Sequence, residues 1–290
     1  MIRRSNLKFR VINLNYKATI ATLTLMIVGM LAVTISSVRA SEPEGTRVPI
    51  IMYHSVLRSR SSKYVVSPEQ IEEDLDYLQE RGFETIVMAD LIAYVHDGRP
   101  LPENPIILTF DDGYYNNMHY VVPLLEERGM RAVVSVVGLY TDRFSEEPDM
   151  NVNYAHFRWE DIKELIPTGI VEFQNHSYDL HTMERGRKGS RRKRGESLEE
   201  YREVLEEDLM KLQRLFQENV HFTPTTFTYP FGAFCKESVE IIRDLGFEAS
   251  LSCVEGMNYI TDDSDRLFGL KRYNRSGRTS TERFFRKVLD

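Results

Sequence analysis

The sequence contains an apolar run followed by two carboxylates and a glycine, Ile106-Ile107-Leu108-Thr109-Phe110-Asp111-Asp112-Gly113. A short apolar run that ends in turn residues is typical of a buried strand. Adjacent residues on a strand face opposite sides, so Asp111 and Asp112 can reach one site only where the chain has left the strand. Gly113 gives the backbone the freedom for that turn. A turn without chemistry is the alternative for this dipeptide taken alone.

Strand and helix signals alternate on both sides of this stretch. Further strands are predicted at residues 48–53, 84–88, 132–137, 170–173, 225–229, 248–251 and 267–273. Helices are predicted between them; Ser67 is the expected N-cap of one, and residues 198–216 form the longest. Repeated βα units predict an α/β fold, and their number favours a distorted (β/α) barrel of parallel strands. Chemistry in such barrels gathers at the carboxyl ends of the strands.

Polar residues follow four of the predicted strands and are therefore expected to meet on one face of the barrel. They are His54, Asp111 with Asp112, His176, and Tyr229. His176 and His181 are five positions apart, a spacing that fits neither a helix face nor a strand face and indicates a curled loop. One carboxylate with two histidines leaves coordination positions open, which is the pattern of a catalytic zinc site. Two unconnected surface histidines are the alternative.

Three motifs fall at strand ends in order along the chain. They are Thr109-Phe110-Asp111-Asp112-Gly113, His176-Ser177-Tyr178-Asp179-Leu180-His181 and Phe227-Thr228-Tyr229-Pro230-Phe231-Gly232. This set resembles the motifs of the polysaccharide deacetylases, carbohydrate esterase family 4. Most members space the two histidines four apart, and the longer spacing resembles the branch that includes poly-N-acetylglucosamine deacetylases. The likeness covers residues 48–290 and implies one catalytic domain with a distorted barrel fold.

The resemblance also implies a role for each motif residue. Asp112, His176 and His181 would bind one divalent metal, and Asp111 would be the general base. The backbone N–H of Tyr229 would help to stabilise the oxyanion. Nitrogen and carboxylate ligands suit Zn²⁺, although Co²⁺, Ni²⁺ or Fe²⁺ fit the same set.

The chain departs from the family pattern in three places, one of which is the lack of a convincing fourth motif. Thr228 stands where many members have an arginine that orients the base. The last motif usually supplies a histidine as general acid, but Leu270-Lys271-Arg272-Tyr273 contains none. His54 is the substitute candidate for the general acid, with a packing role as the alternative.

The N-terminal residues differ in composition from the rest. Residues 1–17 form a basic leader, and residues 18–38 contain no charge over a length that can cross a bilayer. Basic residues before an apolar segment favour a cytoplasmic N-terminus, so the domain would lie outside the membrane. An uncleaved anchor and a cleaved signal segment both fit. Residues 39–47 are predicted to be a linker.

Charge and cysteine content add three expectations. The formal net charge of −7 argues against a nucleic-acid partner. Cys235 and Cys253 follow consecutive strands, and we expect them to form a disulfide. The basic run over residues 185–194 is interpreted as a flexible, solvated loop, with contact to an anionic polymer as the alternative.

These features predict a metal-dependent enzyme that removes acetyl groups from N-acetylglucosamine residues of a cell-surface polysaccharide. Peptidoglycan and poly-N-acetylglucosamine are the two expected substrates. A non-catalytic carbohydrate-binding protein on the same fold is one alternative, motivated by the missing arginine and the missing histidine of the last motif. A hydrolase of another non-peptide amide is the other.

Overall fold

A computed structural model describes Thr24, Met26, residues 44–184 and residues 186–289. The predicted basic leader at 1–17 and the predicted anchor or signal segment at 18–38 lie outside the described residues, apart from Thr24 and Met26, which are helical. In the described part, no helix is both long enough and apolar enough to span a membrane.

The described part alternates strands with helices. The strands are β1 Thr46–Val48, β2 Ile50–Tyr53, β3 Ser55–Val56, β4 Val65–Val66, β5 Glu84–Thr85, β6 Pro105–Phe110, β7 Ala132–Val136, β8 Val171–Asn175, β9 Thr226–Thr228, β10 Ala249–Leu251, β11 Asn258–Ile260 and β12 Tyr273–Asn274. The α-helices are α1 Pro68–Glu80, α2 Met88–Asp97, α3 Val122–Arg128, α4 Gly138–Glu146, α5 Trp159–Leu165, α6 Leu198–Val220, α7 Lys236–Asp244 and α8 Thr281–Leu289.

A parallel sheet in the order β10-β9-β8-β7-β6-β2-β12 forms the barrel, and β5 pairs with the start of β6. Its two edges meet through the segment before β12. The Leu270 N–H donates to the Ser250 carbonyl of β10 at 2.9 Å, and the Arg275 N–H, just after β12, donates to the Met52 carbonyl of β2 at 2.9 Å. The predicted distorted (β/α) barrel is confirmed.

Successive residues of the strands enter different layers of the core. In β6, Ile106 and Leu108 pack with residues of the surrounding helices, whereas Ile107 packs with Ile50 and Val133 in a second cluster. Thr109 and Asp111 follow Ile107 on the same side because side chains alternate along a strand. The interior therefore changes from apolar to polar toward the carboxyl ends of the strands.

Helix starts follow the sequence closely. Ser67 caps α1: its Oγ accepts the Gln70 N–H at 3.2 Å, and the Gln70 side chain accepts the Ser67 N–H at 3.2 Å. Ser197 and Glu200 form the same capping box on α6. A capping box satisfies two backbone donors that the first helical turn leaves unpaired. The longest predicted helix is thus confirmed, and it extends four residues further, to Val220.

Two predicted boundaries are wrong. The run at 48–53 is divided at Pro49, and β1 pairs antiparallel with β11, Thr46 opposite Ile260. Thr46 and Arg47 therefore belong to the fold and not to the predicted linker at 39–47. The predicted last strand at 267–273 is mostly irregular, because only Tyr273–Asn274 pairs with β2.

Candidate metal centre

The turn after β6 places two adjacent carboxylates at one site. Asp112 and Gly113 both adopt left-handed backbone conformations, with φ of 71° and 69°. A Cβ on Gly113 would lie 2.9 Å from Cγ1 of Val136, so only glycine fits this position. The chain leaves the strand where the sequence predicts, and Asp111 and Asp112 both line the same cavity.

The loop that carries the two histidines is held from two sides. Ser177 has φ of 72°, and its N–H donates to Oδ1 of Asn175 at 2.8 Å. Asp208 on α6 accepts the N–H of Tyr178 at 2.7 Å with one carboxylate oxygen and that of Asp179 at 2.8 Å with the other. These bonds hold the curled loop between His176 and His181.

Asp112, His176 and His181 offer one ligand atom each, and these atoms lie within 4.8 Å of one another. Oδ1 of Asp112 is 3.5 Å from Nε2 of His176 and 3.1 Å from Nε2 of His181. Atoms that share a tetrahedral zinc ion at about 2.0–2.2 Å lie roughly 3.3–3.6 Å apart. Oδ1 is also buried without a hydrogen-bond partner among the described residues. The three side chains therefore fit a divalent ion.

The tautomer of His176 supports the same interpretation. Its Nδ1 lies 2.7 Å from the carbonyl oxygen of Thr228. Because a carbonyl only accepts, Nδ1 carries the proton and Nε2 presents a lone pair toward Asp112. A backbone carbonyl on the far ring nitrogen is the usual support of a metal-binding histidine. Thr228 thus orients the His176 ring through its backbone carbonyl.

Asp111 is buried and paired with Arg272. Nη1 and Nη2 of Arg272 donate to Oδ1 and Oδ2 of Asp111 at 2.7 and 2.8 Å. Burial raises the pKa of the Asp111 carboxyl, but Arg272 outweighs it, and the net pKa lies below the usual value. The Asp111 carboxyl is therefore ionised at neutral pH. The arginine expected at Thr228 is not missing, because Arg272 supplies the guanidinium from the last strand region.

The predicted oxyanion role of the Tyr229 backbone is wrong. The Tyr229 N–H donates to the Leu251 carbonyl at 3.0 Å, as a continuation of the sheet, and its ring is buried beside Phe227. The following turn, Pro230–Gly232, comes closer to the ligands. Phe231 has φ of 56°, and its ring centroid lies 4.3 Å from that of His181. A backbone donor for an oxyanion would come from this turn.

His54 lies in the wall of the same cavity, as the strand-end pattern predicts. Its Nδ1 is buried without a hydrogen-bond partner among the described residues. Burial lowers the pKa of His54 more than the nearby Asp111 and Asp112 raise it. The imidazole is therefore neutral at pH 7 and would have to gain a proton before it could protonate a leaving group.

The cavity around these groups has a volume of about 930 Å³. Tyr64 and Tyr114 line it, together with the cationic side chains of Arg60, Lys63 and Lys188. Aromatic walls with a few polar groups are typical of ligand sites. The site can therefore accept a bulky, hydrogen-bonding substrate.

The predicted disulfide is wrong, since Cys235 and Cys253 are both free thiols in the described structure. Cys235 precedes α7, and its Sγ lies 3.6 Å from the hydroxyl of Tyr201. Cys253 faces the cavity, with Sγ 3.8 Å from Nη2 of Arg272. Each sulfur thus packs against a different partner.

The basic run is not the solvated loop expected. Arg187 is buried and forms an ion pair with Glu196, and Arg192 pairs with Glu237 at 3.2 Å. The hydroxyl of Tyr201 donates to the Ser190 carbonyl at 2.6 Å. Carboxylates and α6 therefore hold this segment in place.

Sequence reasoning missed Arg272 and His156. Arg272 lies in the segment predicted as the last strand, and a charged residue in a strand signals a buried partner. His156 lines the cavity beside Tyr114 but stands in an irregular segment, where no motif or periodicity marks it.

The fold and the converging ligands define a (β/α) barrel with a candidate divalent-metal centre at the carboxyl ends of its strands. The chain belongs to the polysaccharide deacetylase family, whose model matches residues 98–250.

Similar proteins agree with this assignment. The chain is 25% identical over 227 residues to a poly-beta-1,6-N-acetyl-D-glucosamine N-deacetylase of Escherichia coli K12, covering 71% of this chain and 34% of that protein. It is 23% identical over 192 residues to the enzyme of that name from Staphylococcus aureus, covering 66% and 62%. This chain thus spans about a third of the length of the first relative. A de-N-acetylase structure from Aggregatibacter actinomycetemcomitans shares the fold, with a TM-score of 0.72, 20% identity and coverage of 84% and 100%.

Proposed function

We propose that the protein hydrolyses the N-acetyl group of N-acetylglucosamine residues in a cell-surface polysaccharide and releases acetate. The observation that carries this proposal is the convergence of Asp112, His176 and His181 beside the ion-paired Asp111. The names of the relatives favour poly-N-acetylglucosamine over peptidoglycan as substrate.

The chain's own groups suit each proton transfer. A divalent ion at the three ligands would act as a Lewis acid and lower the pKa of a water molecule. Asp111, kept ionised and oriented by Arg272, accepts a proton from the water that attacks the acetamide carbonyl. In the turn Pro230–Gly232 the Phe231 N–H is the proposed donor to the developing oxyanion, because proline has no N–H and the Gly232 N–H donates to the Tyr229 carbonyl. The C–N bond then breaks, and His54 passes the proton taken by Asp111 to the leaving amine.

Zinc is the proposed ion, because two imidazoles and a carboxylate form a typical catalytic zinc set. Co²⁺, Ni²⁺ or Fe²⁺ would fit the same donors. We also propose an extracytoplasmic location, with the N-terminal segment held in the membrane or removed. The uncharged residues 18–38 after a basic leader support this location.

Acetate release from the full chain tests the proposal. The protein is incubated with Zn²⁺ or Co²⁺ and with β-1,6-linked or β-1,4-linked N-acetylglucosamine oligomers. We expect acetate and an equal amount of free amine, both abolished by a chelator and by Asp111→Asn. Saturable binding without acetate would instead support the carbohydrate-binding alternative. Turnover of other amides alone would instead support the alternative of a hydrolase of another non-peptide amide.

A further inference from the structure

A second cavity, of about 520 Å³, adjoins the metal cavity. Its walls include Tyr140, Phe144, Tyr154 and His156, with the carboxylates of Glu147 and Asp149 among them. Tyr154 and His156 line both cavities. The two cavities therefore share part of one wall.

Aromatic rings form much of this second cavity. The His156 ring lies 4.5 Å from that of Tyr140 and 5.4 Å from that of Phe144, nearly parallel to the latter at 29°. Tyr154, whose ring centroid is 6.5 Å from that of Phe144, is 52% exposed. Tyr154 therefore presents an exposed ring beside the half-buried rings of Tyr140 and Phe144.

The exposed tyrosine is held in position. Its hydroxyl donates to Oδ2 of Asp149, and Oδ1 of Asp149 accepts the Asn151 N–H at 2.9 Å. A ring fixed in this way loses little further freedom when a ligand stacks on it.

His156 provides an independent sign of a ligand. Only 8% of the residue is exposed, and its Nδ1 has no hydrogen-bond partner among the described residues. Burial lowers the pKa of His156 to about 4, so the imidazole is neutral at pH 7. A buried polar atom without a partner is costly, and a hydroxyl-rich ligand that reached it would remove that cost.

We propose that this second cavity binds the sugar ring next to the residue being deacetylated. The inference rests on the proposed function, because it assumes a polymeric N-acetylated substrate. A polymer whose reacting unit lies at Asp111 must place its neighbours in adjoining space, and the second cavity adjoins the first at Tyr154 and His156, which line both. Aromatic faces accept the apolar faces of a pyranose, and Glu147 and Asp149 accept hydrogen bonds from its hydroxyls. A cavity of this size is within the range of small-molecule sites.

The dependence of turnover on chain length tests this inference. For the full chain, kcat/KM is measured on N-acetylglucosamine oligomers of one to five units. Tyr154→Ala and Phe144→Ala should each lower the ratio of kcat/KM between the longest and shortest oligomers by about tenfold, the loss of one stacking contact. Leu139→Ala is the matched control, because Leu139 is an exposed residue of α4 outside both cavities.

Binding gives a second readout. Calorimetry of the pentamer on an Asp111→Asn background should show weaker binding after Tyr154→Ala and no change after Leu139→Ala. Since Tyr154 is exposed, its replacement keeps the test valid if Phe144→Ala does not fold. The contrary outcome is that Tyr154→Ala releases acetate with the length ratio of the unaltered chain and binds the pentamer equally well. That result would reject the subsite and leave the proposed function standing. No acetate from any oligomer with the unaltered chain would instead reject the proposed function.

Discussion

Arg272 and Asp111 form a buried bidentate ion pair, with N–O distances of 2.7 and 2.8 Å, although 161 positions separate them in the chain. The guanidinium is itself held, since its Nε donates to the Ser252 carbonyl at 2.8 Å and its Nη1 to Oγ1 of Thr109 at 3.1 Å. The orientation of the candidate base therefore depends on the segment that closes the barrel.

Arg272→Lys should lower acetate release by roughly a hundredfold while the chain still binds metal. A lysine keeps the charge but cannot hold both oxygens of Asp111, and small displacements of a reacting group are costly. The measurement is kcat at saturating substrate together with metal content.

Arg275→Lys is the control for this change. Arg275 is equally buried and holds Asp74 bidentately at 2.7 and 2.9 Å, but it lies outside the cavity. Both variants should lose stability, whereas only Arg272→Lys should lose activity per folded molecule. Equal kcat values in the two variants would contradict the positioning role of Arg272.

His54→Gln should slow amide hydrolysis far more than ester hydrolysis. A leaving amine needs a proton, while the phenolate of an aryl acetate leaves without one, and general acid catalysis typically contributes about 10²–10⁴-fold. The unaltered protein and His54→Gln are compared by their rates on an N-acetylglucosamine oligomer and on 4-nitrophenyl acetate. Equal losses on both substrates would show that His54 acts by packing.

Asp208→Asn should change how stability depends on pH. Burial raises the pKa of the Asp208 carboxyl to about 6 despite the two N–H groups that it accepts. A raised carboxyl pKa favours folding while the group is protonated, so this contribution is full below about pH 4 and is lost as pH rises through about 6. The shift corresponds to at most about 3 kcal/mol.

Urea unfolding at pH 4.5 and pH 7 measures that effect. The free energy of unfolding of the unaltered chain, minus that of Asp208→Asn, should be smaller at pH 7 than at pH 4.5. A constant difference would mean that Asp208 titrates as an ordinary exposed carboxyl.

The sequence predicts the barrel well because local signals and topology agree. Capping boxes such as that of Ser67 mark helix starts, and apolar runs such as that before Asp111 mark buried strands. The last strand was misplaced because it has only two residues, Tyr273 and Asn274, and its pairing with β2 is non-local. No periodicity can show so short a pairing.

The site residues that lie just after the ends of strands could be predicted from the sequence. His54, Asp111 and His176 each lie two positions after an interior residue of their strand, so alternation alone places them. Arg272 and His156 could not be placed in this way, because their roles depend on which distant segments the closed barrel brings together. The Tyr229 prediction failed because the family motif does not say which backbone N–H the sheet already uses.

Metal content and acetate release, measured on the same preparations of Asp111→Asn and Asp112→Asn, separate the roles of the two adjacent carboxylates. Asp112 is assigned as a metal ligand, and Asp111 is assigned as the general base that accepts the proton. Asp111→Asn should therefore keep about one metal per chain and lose turnover, while Asp112→Asn should lose both. Full activity in Asp111→Asn, or an undiminished metal content in Asp112→Asn, would contradict the assignment.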